Sequence, residues 1–267
     1  MIEQSTEFSG KVALVTGGGS GIGRAIAVRH AAGGGDVVVL GRRAEPLEET
    51  VRLAEKYGVR ACFVSCDVRD ADAVTAAVDG VVADFGRLDS LVNNAAGNFV
   101  CAAEDLSPGG WRAVVDIVLN GSFYATRAAA QHMLAAGEGS IVNVIASYAW
   151  HGHPGTVHSA AAKGGILAMT RTLAAEWGGR GVRVNCISPG PTETEGAGAA
   201  LWPTAEDRAR VLGSVPAARF TTPEEVAESA AFLLDPRRAG YITGDVLSVD
   251  GGQWLGKAVY ADSSKGR

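Results

Sequence analysis

Cysteine is scarce in this chain: four residues among 267, at positions 62, 66, 101 and 186. No two of them form C-x-x-C, and no histidine stands at zinc-finger distance, so neither a disulfide scaffold nor a structural zinc knot is encoded. Reduced thiols follow, and Cys62 and Cys66 fall on one face of an expected strand. Positive charge is also short. The 24 Lys+Arg against 29 Asp+Glu leave a net charge of −5, which argues against a nucleic-acid groove or an anionic membrane surface. No apolar run approaches the ~18 residues that span a bilayer. The segment MIEQSTEFSGK has no basic or apolar leader character, and the final KGR is not a peroxisomal address; a cytoplasmic protein is expected. Glycine is in excess: 36 residues, roughly twice the usual share. The glycines close apolar runs instead of repeating in triplets, which excludes collagen.

Short β-branched runs alternate with longer amphipathic stretches. The runs are Lys11–Thr16, Asp36–Leu40, Arg60–Ser65, Leu88–Asn93, Ser140–Ile145, Val182–Ser188 and Asp245–Val249. Helical spacing covers Glu45–Tyr57, Ala71–Phe85, the apolar stretch Ser107–Met133, and Thr156–Trp177. Near-continuous apolar strands separated by helices predict an α/β fold: a single doubly wound, Rossmann-like domain over residues 1–267. About seven parallel strands would be covered by helices on both faces. No linker or repeat divides the chain. The Gly/Pro/Ala-rich stretch of about 190–216 reads as a mobile flap over the sheet's C-terminal edge, where such folds bind ligands.

After the first strand comes Gly17-Gly18-Gly19-Ser20-Gly21-Ile22-Gly23, opening a helix. Glycines there permit a tight turn and bring backbone N–H groups to a pyrophosphate at the positive helix end. An NAD site places an acid on the ribose at the end of the second strand. Here Gly41 holds that position and Arg42-Arg43 follow, and a guanidinium suits a 2′-phosphate. NADP(H) is therefore the expected cofactor, with Asp67, after the third strand, directed at the adenine.

TGGGSGIG, then Asn93-Asn94-Ala95-Ala96-Gly97, then Lys163 in a long helix resemble the short-chain dehydrogenase/reductases over nearly the whole chain. Most of that family carry Tyr four residues before the lysine and Ser about thirteen before the Tyr. Here those positions hold Ser159 and Ala146. Tyr148 instead stands fifteen residues before Lys163, as in the 2,4-dienoyl-CoA reductase branch. Asn98-Phe99, Leu106-Ser107-Pro108, Asp116–Gly121, Leu173–Gly178 and Pro189-Gly190-Pro191 also resemble that branch.

The resemblance implies NADPH-dependent reduction of a dienoyl-CoA thioester in unsaturated fatty-acid β-oxidation, by a homotetramer. It implies Tyr148 and Asn98 as donors to the thioester oxygen, and Lys163 on the nicotinamide ribose. Ser159 would hold a water with Lys163, and Asn120 would be the helix-kinking asparagine. The cofactor would meet Gly17–Ile22, Arg42, Asp67, Asn94, Lys163 and Pro189–Thr192. The acyl-CoA would meet Arg42, Arg69, Phe99, Ser107 and Tyr148. One departure is Ala200, where the family has a flap arginine.

Two other readings stay open. One is a reductase of 3-ketoacyl thioesters or small ketones using Tyr148 or Ser147. The other is an NADP-binding protein without turnover. His151, His153 and His158 read as loop or surface residues and not as a metal site. Trp150, Trp202 and Trp254 suit an acyl tunnel or plain packing equally.

Overall fold

The computed structural model describes residues 5–194 and 201–255. Seven parallel strands run in the order β3-β2-β1-β4-β5-β6-β7. They are β1 (Val12–Thr16), β2 (Asp36–Gly41), β3 (Ala61–Ser65), β4 (Ser90–Asn93), β5 (Gly139–Val144), β6 (Val182–Pro189) and β7 (Val246–Val249). Every expected strand is present to within two residues at each end. The helices that matter for the site are α1 (Gly21–Ala32), α2 (Ala44–Glu55), α3 (Ala71–Phe85), α4 (Pro108–Val115) and α5 (Gly121–Ala136). They continue with α6 (Tyr148–His151), α7 (Val157–Trp177), α8 (Ala205–Gly213), α9 (Pro223–Leu234) and α10 (Pro236–Ala239).

Strand alternation divides the core between the two faces. Val15, Val37, Val39, Val142 and Ile187 pack with α1 and α9. Leu14, Val38, Leu40, Leu91 and Val184 pack with α3 and α5, together with Cys66 and Cys62. All four cysteines are free. Inside the sheet a short polar row crosses the strands. Asn93 Nδ2 donates to Asn143 Oδ1 at 2.8 Å and to Thr126 Oγ1 on α5 at 2.8 Å. Asn143 Nδ2 donates to Thr170 Oγ1 on α7 at 2.8 Å, and Thr170 lies 3.1 Å from Cys186 Sγ.

Two expectations need correction. The 190–216 stretch is not a bare flap, since among its described residues α8 forms a capped helix. Thr204 Oγ1 accepts the Asp207 N–H at 3.1 Å and Asp207 Oδ2 accepts the Thr204 N–H at 3.3 Å, a reciprocal cap. Trp202 is buried and packs on Phe220, 5.4 Å between ring centres. Ala200 lies outside the described residues. The stretch Ser107–Met133 is likewise not continuous, because a π-turn at Asp116–Asn120 separates α4 from α5. Gly121 follows it in a place where a Cβ would come within 2.8 Å of Val68.

His30, on α1, is fully buried and stacked on Phe8 with ring centres 4.4 Å apart. Burial pushes its pKa from 6.5 down to about 4. Between those values the unfolded chain takes a proton that the fold refuses. Stability is therefore full above pH 6.5 and falls as pH drops toward 4, by about 3 kcal/mol from this group. Urea unfolding between pH 7 and 5 is expected to show that slope, and His30→Leu is expected to flatten it.

Candidate active site

The order of the sheet reverses between β1 and β4, so the loops leaving these strands part and open a crevice at the C-terminal edge. A groove of about 330 Å³ lies there. It is lined by Gly17, Gly19, Ser20, Gly21 and Ile22 after β1, by Gly41, Arg42 and Arg43 after β2, by Asp67 after β3, and by Asn94 and Ala95 after β4. Gly17 has φ +65°, and a Cβ on it would stand 2.9 Å from Ala95 Cα. Asn94 Nδ2 donates to the Thr16 and Gly17 carbonyls at 3.1 Å, which clamps the glycine loop. Ser20, the N-cap of α1, gives no side-chain cap, whereas Asp70 caps α3 through two N–H groups. The first-turn N–H groups of α1 are thus left for an anion.

The groups present fit a phosphorylated dinucleotide. Among the described residues the exposed Arg42 guanidinium makes no hydrogen bond or ion pair. Gly41 leaves open the corner that a side chain would fill against Leu47, 3.5 Å away. Asp67 is gripped by Arg69 through bonds of 2.6–3.0 Å, and this grip holds the carboxyl pKa below its usual range. Arg69 is therefore committed to Asp67 in this state.

Other expected residues fall elsewhere. Gly18 turns to the sheet, where a Cβ would meet Val39 at 2.6 Å, and it does not line the groove. Pro189 ends β6. Gly190 and Pro191 line a separate pocket of about 230 Å³, and Thr192 Oγ1 donates to the Gly190 carbonyl at 3.0 Å. Sequence reasoning missed Pro46 and Thr194, which line the groove beside Gly19 and Gly21. Neither residue carries a recognisable motif.

Beyond the groove, along the same edge, Tyr148, Ser159 and Lys163 come together. Tyr148 stands four residues past the end of β5, on α6. Its Oη lies 3.1 Å from Ser159 Oγ on α7. Burial raises the phenol pKa, partly offset by the Ser159 bond, so at neutral pH the phenol keeps its proton. Ser159 is buried, one turn before Lys163. Lys163 Nζ donates to the Val144 carbonyl at 2.5 Å, which leaves two N–H donors. Two glycines on α7 permit this assembly. A Cβ on Gly164 would stand 3.2 Å from the Ala149 carbonyl of α6, and one on Gly165 would touch Leu119 of the π-turn at 3.0 Å.

Asn98 follows the groove-lining Asn94–Ala96. Its Oδ1 accepts the Phe99 N–H at 2.9 Å, so its NH₂ stays available to donate. Asn120, at the end of the π-turn, donates one amide N–H to Asp116 Oδ1 at 2.8 Å. The Ser107 hydroxyl caps α4 by accepting the Gly110 N–H at 3.0 Å. His158 is no surface residue. It is fully buried and stacked on Phe99, and burial pushes its pKa down against the pull of the Phe99 backbone. Trp150 and Trp254 meet edge to face at 6.2 Å.

Residues 17–253 match the family model described as Enoyl-(Acyl carrier protein) reductase. A Bacillus subtilis protein named "Probable 2,4-dienoyl-CoA reductase", (2E)-enoyl-CoA-producing, is 50% identical over 92% of this chain and 97% of its own. The chain belongs to the short-chain dehydrogenase/reductase family. A second member, the D-threitol dehydrogenase of Mycolicibacterium smegmatis, is 42% identical over 94% of this chain and 96% of its own. A Beutenbergia cavernae protein crystallised with bound NADP at low occupancy superposes with a TM-score of 0.89 at 36% identity. That likeness covers 94% of this chain and 99% of the other. As a short-chain dehydrogenase/reductase the chain is an NAD(P)-dependent oxidoreductase.

Lys163 supplies a test of the site. Burial lowers its ammonium pKa to about 8, so its charge is present below that pH and is lost above it. Affinity for reduced nicotinamide cofactor, followed by fluorescence, is expected to weaken above about pH 8. Lys163→Arg keeps its charge and is expected to lose that limb; an unchanged limb would place the titrating group elsewhere.

Proposed function

We propose that this chain is an NADPH-dependent 2,4-dienoyl-CoA reductase that yields an enoyl-CoA in the β-oxidation of unsaturated fatty acids. The observation that carries the reading is the Tyr148–Ser159 contact. The phenol is mounted on α6, and a serine takes the helix position where most of the family carry the tyrosine. The likeness to the Bacillus subtilis reductase supports the same substrate class.

NADPH supplies the hydride when bound. The uncapped start of α1 and the Gly17–Gly21 loop would hold its pyrophosphate, Arg42 its 2′-phosphate, and Lys163 its nicotinamide ribose. Reduction of a conjugated thioester collects negative charge on the thioester oxygen. The Tyr148 O–H and the Asn98 amide N–H are donors suited to that oxygen, and each such donor is worth ~3–4 kcal/mol. Because its pKa is raised, Tyr148 acts by holding the oxyanion and need not give up its proton. Ser159 and Lys163, one helical turn apart, would position the water that protonates the α-carbon. Arg42 and Arg69 would meet the CoA phosphates once Arg69 leaves Asp67, and Phe99 and Ser107 would flank the acyl-pantetheine arm.

A carbonyl or polyol oxidoreductase is the second reading, favoured by the likeness to D-threitol dehydrogenase. Against it stand Ser159 and Ala146 in place of the usual Tyr and Ser. The coherent donor set argues for turnover over a non-catalytic NADP-binding role. We further propose a cytoplasmic homotetramer. Among the described residues no helix is long and apolar enough to cross a membrane. Trp111 on α4 and Phe123 on α5 are exposed apolar side chains suited to subunit contact.

With NADPH and a medium-chain trans-2,trans-4-dienoyl-CoA, turnover is expected in wild type and a ~10²–10³-fold fall in Tyr148→Phe. No dienoyl turnover, with NADPH still bound, would favour the second reading and a ketone or polyol panel. Arg42→Ala is expected to raise the KM for NADPH by ~10–100-fold while sparing that for NADH. Equal changes for both cofactors would remove Arg42 from the 2′-phosphate.

A further inference from the structure

The two donors come from separate supports. Asn98 sits in an irregular loop five residues past β4, and Tyr148 sits on α6 past β5. The ladder between β4 and β5 ends at Asn93↔Asn143. Strand pairing alone therefore does not fix the distance between amide and phenol. The contacts that do so converge on the start of α7. The Phe99 ring lies on the His158 ring with centres 4.4 Å apart and planes 29° apart. The Cys101 N–H donates to the Gly155 carbonyl at 2.9 Å. Gly155 has φ +76°, and a Cβ there would stand 2.9 Å from Val100 Cγ1, so only glycine lets the loop sit this close.

These contacts form one continuous path. The Asn98 side-chain Oδ1 accepts the Phe99 N–H, so whatever locates Phe99 also locates the amide. His158 precedes Ser159, whose hydroxyl meets the Tyr148 phenol. His158 is fully buried, whereas Phe99 is 37% exposed, so the imidazole is the face held by the protein interior and the phenyl ring the one that lies over it from the solvent side. A flat ring stacked on a flat ring sets both height and tilt, which an aliphatic contact would not.

We propose, on the dienoyl-thioester reading above, that His158 is a positioning residue. Stacked on Phe99, it ties the Asn98 loop to α7 and so sets the separation of the amide and phenol donors.

His158→Ala, Phe99→Ala and the double variant test this by steady-state kinetics and hydrogen exchange. His158→Ala is expected to lower kcat about tenfold with NADPH affinity unchanged, and to speed exchange in the 98–102 segment, including the Cys101 amide. The double variant is expected to be no worse than the worse single variant, since both break one contact. Unchanged exchange in that segment of His158→Ala, or single effects that multiply in the double variant, would overturn the proposal. If wild type fails to reduce the dienoyl thioester, the functional reading falls, while the exchange rates still decide whether His158 holds the loop.

Discussion

The pair of amides at Asn93 and Asn143 is the constraint on which the site rests. They face each other in register across β4 and β5, almost without solvent exposure, and each must find partners in a sheet interior. A slip of one residue would turn either amide to the opposite face and strand it. Thr126 accepts the second N–H of Asn93 and Thr170 accepts one from Asn143, so α5 and α7 are held against the same two strands. The consequences are immediate in sequence. Asn94, the next residue, clamps the glycine loop, and Val144, the next residue on β5, offers its carbonyl to Lys163. The cofactor half and the reacting half of the site are thus referenced to one pair of side chains.

The electrostatics of the reacting half follow from burial. Desolvation is the main influence on Lys163, and among the described residues no carboxylate acts on it appreciably. Desolvation also keeps the Tyr148 phenol neutral. The result is a cluster of N–H and O–H donors with no resident negative charge. Such a cluster favours a substrate that becomes anionic during reaction over one that is anionic at the start.

Much of this was legible in the sequence because it is written in local chemistry. β-Branched runs give the strands, the glycine cluster with its flanking strand and helix gives the groove, and Gly41-Arg42 lines that groove as its place after the second strand implies. The fifteen-residue interval to Lys163 singled out Tyr148 but not the helix that carries it, because α6 is a single turn with no periodicity to detect. The 190–216 segment read as a flap because it is rich in Gly, Pro and Ala, although Thr204 and Asp207 spell out a helix cap. The burial of His158 carries no local signal at all. It arises from a contact with a loop nearly sixty residues away, which only tertiary structure creates.

The single-turn α6 has a wider consequence. Where tyrosine and lysine share one helix, the pitch of that helix dictates their spacing, and no substitution can adjust it without breaking the helix. Here the phenol stands on its own pedestal, propped against α7 at Gly164. Changes in the short segment between β5 and α7 can therefore slide the phenol relative to the ammonium group while the scaffold stays intact. In this chain the spacing of the phenol and the ammonium group is thus separable from the fold that carries them.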